Sequence, residues 1–218
     1  MNDDSEWMSI SDMMSGLMLI FLFIAISFMV RVEAEKQEMK DVAIEYRDTK
    51  ANLNEALYGE FENNLQNWDA TITTNNSIIF ASPEVLFEVS KSELKEKFKT
   101  VLQDFFPRYL KVLTSQEYKD EIQELTVEGH TSKSWKNASS QKEIYLKNMQ
   151  LSQNRAYKVL SYCYSLKDSI TKENRPWLEK HFRANGMAFS KLKDPQKARR
   201  VEFSIQMKSE DKVYEILK

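Results

Sequence analysis

The most chemically informative residue in the sequence is a lone acid in an apolar stretch. From Trp7 to Val30 the only ionisable side chain inside the apolar run is Asp12. A carboxylate in a membrane-type helix costs about 2.5–3.5 kcal/mol at the helix centre and less towards an end. Such a residue marks an ion path by default, because a carboxylate can take up and release a proton or hold a sodium ion. Ser15 and Gly16 lie three and four residues on and share its helix face. An acid beside small residues describes a face that meets protein rather than lipid. The competing reading is a helix cap, Ser11-Asp12 opening a helix whose apolar run starts at Met13. Trp7, Met8 and Ile10 extend the apolar character upstream, which places Asp12 inside the segment.

Other reactive constellations are missing from the sequence. The single cysteine, Cys163, allows no intramolecular disulfide. Two histidines, His130 and His181, are too few for a histidine metal cluster, and no zinc spacing exists. Four glycines supply no phosphate-cradling loop. No nucleophile or base pairs with His130 by spacing, so it reads as a structural residue of a turn. The expectation is therefore no catalytic residue, no metal and no cofactor. No basic patch with interleaved aromatics stands out, which argues against nucleic acid as a partner.

The elements that carry Asp12 follow from the pattern. Trp7–Val30 makes a helix of about 36 Å at about 1.5 Å per residue, enough for a hydrocarbon core of about 30 Å. A cleaved signal peptide would need a basic start and a small-residue cleavage site. This chain opens MNDDSE and follows the apolar run with RVEAEKQ, so the helix is expected to be retained. Between Glu33 and Asp69 there is no proline and only Gly59. Met39, Val42, Tyr46, Leu53, Leu57, Phe61, Leu65 and Trp68 recur at steps near three and four, a helical stripe for a partner helix or the next domain. A solvated spacer helix is the alternative for the first half.

A mixed α/β pattern follows. Thr71–Thr74 and Ser77–Ala81 read as short strands around the turn pair Asn75-Asn76. Ser90–Leu113 and Gln141–Leu166 have helical spacing, and Glu124–His130, His181–Phe189 and Val201–Met207 read as strands. The expected class is α+β: one N-terminal transmembrane helix, a helical linker, then helices on one face of a small mixed sheet.

These residues carry a resemblance. IIFASPEVLFEVSKSEL at 78–94, VEGHTS at 127–132, NMQLSQNRAYKVL at 148–160 and ARRVEF at 198–203 resemble, in order, four motifs of OmpA-like peptidoglycan-binding domains. SISDMMSGLMLIFLFIAISFM at 9–29 is similar to the helix of MotB-like stator B-subunits, and its wording lies closest to the ZorB subunits of Zorya anti-phage systems. The acidic MNDDSE tail departs from the basic tail usual in MotB.

The resemblance implies an inner-membrane B-subunit, two copies of which sit inside a ring of MotA/ZorA-like subunits, with Asp12 coupling ion flow to ring rotation. It further implies a peptidoglycan-binding site. Arg155 would meet the diaminopimelate carboxylate of a stem peptide, since a guanidinium fork binds a carboxylate bidentately. Asn148 and Leu151, seven and four residues before it, share its helix face, Leu151 as ligand contact or as core. Ser132 stands where the family has an aspartate, which removes a charge from the site. A guanidinium at the surface is the expectation for Arg155. The remaining readings are a flagellar MotB-type subunit, a static wall anchor with no use for Asp12, and a wall-processing enzyme, for which no residue set is present.

The implied organisation is a short cytoplasmic tail at 1–6, a transmembrane helix at 7–31, a helical linker and dimerisation segment at 32–69, the wall-binding domain at 70–208 and a tail at 209–218. The resemblance puts the large domain in the periplasm. The basic residues point the other way, because none precedes the helix and Arg31, Lys36 and Lys40 follow it. Glu33, Glu35 and Glu38 dilute that signal.

Overall fold

The computed structural model describes residues 3–88, 90–133, 135, 138, 140–190 and 198–208. The expected tail at 209–218 and part of the loop after Ser132 lie outside the described residues.

One helix, α1 (Asp3–Trp68), runs from the apolar span into the C-terminal domain without a break. It holds no proline and ends where Asp69 takes a left-handed φ of 52°. Residues 11–41 are exposed, and one stretch is long and apolar enough to cross a membrane. Further on, the helix sinks into the domain, with Leu53, Leu57 and Phe61 fully buried. Tyr46, Leu65 and Trp68 pack on the same core. This corrects the expected boundary at 69/70. The apolar stripe from Tyr46 to Trp68 is covered by the chain's own domain, so it is no free dimerisation face.

The domain supplies the rest: β1 (Ala70–Ile72), β2 (Ile78–Phe80), α2 (Pro83–Leu86), α3 (Glu96–Leu113), β3 (Ile122–Gly129), α4 (Gln141–Tyr164), α5 (Ser169–Glu173), α6 (Arg175–His181), β4 (Phe182–Gly186) and β5 (Val201–Met207). The sheet order is β1-β2-β5-β3-β4. Only β3 and β4 are parallel, joined through the α4–α6 crossover; the other pairs are antiparallel. The α+β class with a small mixed sheet is as expected from the pattern. Phe80, Phe98, Phe105, Tyr109 and Phe203 form an aromatic centre that α1 completes with Phe61.

Arg108 of α3 locks α1 onto this core. Its Nε donates to Glu60 Oε1 at 2.6 Å and its Nη2 to the Glu60 carbonyl at 2.6 Å. Its guanidinium lies 5.0 Å from the Phe61 ring centroid. Two element readings shift. The expected helix from Ser90 begins only at Glu96, because Phe87 and Leu94 form a bridge and Ser90 takes a left-handed φ of 59°. The expected strand from His181 starts at Phe182, since Arg175–His181 is the last turn of the crossover.

Candidate functional site

The site is built around the near side of α4, which two glycines bring against the sheet. Gly129 of β3 and Gly186 of β4 are direct register partners. A Cβ on Gly129 would run into the Ser152 carbonyl, and one on Gly186 would lie 2.6 Å from the Gln153 nitrogen. Only hydrogen at both positions lets the helix backbone settle there. Polar bonds fix its register. Gln153 accepts from the Gly186 amide at 2.7 Å and donates to the Ala184 carbonyl at 3.0 Å. Ser152 Oγ accepts from the Ala188 amide at 2.9 Å. Ala188, held at a left-handed φ of 46°, in turn accepts from the Thr131 amide at 2.7 Å. The GHTS turn, the turn after β4 and α4 are thereby tied into one corner.

Asn148, Leu151 and Arg155 line the α4 face at this corner. Asn148 is buried and its amide donates to the Ile144 carbonyl at 2.9 Å. Leu151 and Ser132 are half-buried. Arg155 departs from expectation, being only 6% exposed. Its Nε donates to the Lys91 carbonyl at 2.9 Å and its Nη2 to the Glu88 carbonyl at 3.3 Å. Its guanidinium carbon lies 4.8 Å from the Phe87 ring centroid. The reason is that Phe87, Glu88 and Lys91 lie against α4 and use the guanidinium as their tether.

Burial holds the Arg155 guanidinium down at about 10, and the positive charge of Arg199 adds to the effect. Among the described residues no carboxylate forms an ion pair with Arg155. Two bonds to carbonyls leave part of a five-donor fork for an anion. A carboxylate would relieve both the burial of charge and the repulsion from Arg199. Arg199 escaped notice in the sequence, although ARRVEF holds it; only folding brings it near enough to Arg155 to repel its charge.

His130 is buried at the end of β3 beside two carboxylates. Its Nε2 lies 3.2 Å from Glu128 and 3.7 Å from Glu202, and Arg200 Nε lies 3.5 Å from Glu202. Glu128 and Glu202 are cross-strand partners. One donor atom from each of Glu128, His130 and Glu202 falls within 4.8 Å of the others, a spacing that could hold a cation. Arg200 already provides the counter-charge, and the His130 amide bonds the Arg200 carbonyl at 3.0 Å. The cluster therefore acts as a strap that carries the GHTS turn. Cys163 is fully buried and burial pushes its thiol up, which makes it a core residue rather than a reactive one.

Asp12 stands on the exposed part of α1, with Ser15 Oγ on the next turn donating to the Ser11 carbonyl at 2.9 Å. Among the described residues none pairs with its carboxylate.

Comparison with known proteins matches the OmpA family over residues 86–201. The Zorya protein ZorB of Escherichia coli strain Crooks is 40% identical over 99% of this chain and 93% of its own length. A second Zorya protein ZorB, from Escherichia coli O139:H28 strain E24377A, is 26% identical over 94% of this chain and 82% of its own. Among solved structures, the cell wall anchor of the type VI secretion system from Pseudomonas aeruginosa aligns with a TM-score of 0.46 at 16% identity, over 70% of this chain and 97% of that one. The periplasmic domain of Helicobacter pylori MotB aligns with a TM-score of 0.43 at 16% identity, over 68% of this chain and 95% of that one.

Proposed function

This chain belongs to the ZorB family and carries an OmpA-family domain, and on that footing we propose that it is the ion-coupling, peptidoglycan-anchored B-subunit of a MotA/MotB-like rotary complex in Zorya anti-phage defence. The observation that carries this reading is the unbroken α1. It joins an apolar span bearing one acid to the core of an OmpA-family domain. From Asp12 to Leu53 the helix covers about 60 Å at about 1.5 Å per residue. An anchor held at Arg155 thus keeps the acid-bearing helix from turning with whatever surrounds it.

The mechanism follows from elementary electrostatics. One charge moving across 100 mV gains about 2.3 kcal/mol. Asp12 charged and Asp12 neutralised by a proton or sodium ion have different desolvation costs, so its preferred contacts change as it cycles. The chain leaves residues 11–41 uncovered. A ring of ZorA-like subunits supplies the surrounding wall, and a second copy of this chain shares its interior. In this reading the chain crosses the inner membrane once with its OmpA-family domain in the periplasm, where peptidoglycan is the second partner. No catalytic residue is assigned. A static anchor would make no use of Asp12.

Asp12→Asn tests the proposal. It preserves shape and capping ability but cannot cycle in charge. The expected outcome is a complex that co-purifies with its ZorA-like partner, conducts no ions and gives no phage protection. Full protection by an assembled Asp12→Asn complex would end the ion-coupling reading.

A further inference from the structure

The two carbonyls on Arg155 occupy an edge of the guanidinium that a ligand could use. Nε and Nη2 lie side by side, and a carboxylate can seat both its oxygens on that edge. Here the Lys91 carbonyl takes Nε at 2.9 Å and the Glu88 carbonyl takes Nη2 at 3.3 Å. The group is buried, with the Phe87 ring against its guanidinium carbon. Carbonyls satisfy these donors but bring no counter-charge, while the positive charge of Arg199 acts on the same group. A carboxylate would meet the same donors and neutralise the cation as well. The chain that supplies the carbonyls is fixed at its ends by the Phe87–Leu94 bridge. Between them the Lys91 amide closes a turn onto the Glu88 carbonyl at 3.1 Å. Ser90 in that turn is exposed and sits at φ 59°, which residues other than glycine seldom adopt. Glu93 reaches Lys158 of α4 at 2.9 Å, but both side chains are largely in solvent, where such pairs contribute little. Arg155 is thus the strong tie between this turn and α4.

We propose that the turn carrying Glu88 and Lys91 is an autoinhibitory latch, whose two carbonyls stand in for a ligand carboxylate on Arg155 and leave when that carboxylate binds. The inference rests on the wall-binding reading of Arg155. With the latch shut, the receptor is covered by its own chain, and apparent affinity falls in proportion to the fraction of molecules that are open. The exchange is chemically matched: two neutral acceptors go out, and one charged acceptor of the same donor pair comes in. Opening also lets Ser90 leave its left-handed conformation. Wall capture by this chain is therefore conditional on release of the latch, and anything that favours the open turn raises affinity without touching the ligand.

The test uses the full chain in detergent and the tripeptide L-Ala-γ-D-Glu-diaminopimelate as probe. In the wild type, hydrogen exchange at the Lys91 and Lys95 amides, which bond the Glu88 and Leu86 carbonyls, should speed up when the tripeptide is bound. Ser90→Pro fixes φ near about −65° and so forbids the closed turn. By calorimetry it should bind the tripeptide roughly three- to tenfold tighter than wild type. Binding by Ser90→Pro where the wild type shows none would support the latch as well. Slower exchange at Lys91 on binding would overturn the latch and leave the Arg155 reading standing. So would equal or weaker binding by a Ser90→Pro chain whose α4 amides keep their protection. If that variant fails to fold, the wild-type exchange experiment decides alone. Binding to neither protein would sink the wall-binding reading and the latch with it.

Discussion

Arg155→Ala puts the reading of the α4 face under strain, because that side chain tethers a loop in the structure and is also the proposed carboxylate receptor. Truncation removes donors to the Lys91 and Glu88 carbonyls and a cation stacked on Phe87. A charge-assisted bond nets about 1.5–3 kcal/mol, and the longer 3.3 Å bond counts for less. With about 1 kcal/mol for the stacked cation, the gross loss is roughly 3–5 kcal/mol. Against this stands the cost of burying the guanidinium beside Arg199, which holds it at about 10, well below the ordinary guanidinium range. That cost is on the order of 3 kcal/mol and vanishes with the side chain. The net destabilisation is then about 0–2 kcal/mol, with loss concentrated around Glu88 and Lys91. The depressed group is charged in both folded and unfolded chains at neutral pH, so its penalty is fully present there and fades as pH rises through about 10. Buried Tyr109, Tyr118 and Cys163, whose values are raised, cost both proteins stability in that range, so the effect of Arg155 is read as a wild-type-minus-variant difference that should grow above that pH. The variant should remain folded at 25 °C in detergent and lose roughly 10- to 100-fold in affinity for sacculi, the charge-assisted pair with a ligand carboxylate. Thermal unfolding with and without stem peptide, paired with sacculus pull-down, reads both effects. Unchanged pull-down by a folded variant would refute the carboxylate assignment, and a variant more stable than wild type at neutral pH would refute the tether.

Ser132→Asp restores the acid that the family places after the GHT turn; it should strengthen stem-peptide binding measured by calorimetry, and weaker binding would show that the local geometry differs. Arg108→Ala removes the bonds to Glu60 and the cation over Phe61. It should cost about 1.5–3 kcal/mol and raise hydrogen exchange across 53–68, because the anchor of α1 loosens. Cysteine placed at Ser140 should react with an impermeant reagent in intact spheroplasts. Labelling only after the inner membrane is lysed would reverse the topology in favour of the basic residues Arg31, Lys36 and Lys40.

Much of this protein is legible along the chain because the signals are local. A long apolar run, one acid in it and charged flanks are properties of consecutive residues, and they predict a spanning helix with Asp12 as its chemistry. Strand alternation at 201–207 and the spacing of Asn148, Leu151 and Arg155 on a helix are equally local. The four ordered motifs identify the domain for the same reason. Periodicity shows that a helix has an apolar face but says nothing of what covers it. Only tertiary packing decides that Leu53, Leu57 and Phe61 are fully buried in their own domain and so unavailable to a second copy. The late start of α3 has the same origin: Arg155, 64 positions from Lys91, holds a loop whose sequence alone looks helical. The burial of that guanidinium, the pairing of Glu128 with Glu202 around His130, and the packing of Phe189 on Tyr145 all depend on residues far apart in sequence. The glutamate pair follows from the register of β3 on β5, while the position of Arg155 follows from how α4 settles on Gly129 and Gly186, where the absence of two methyl groups lets a helix lie against the sheet.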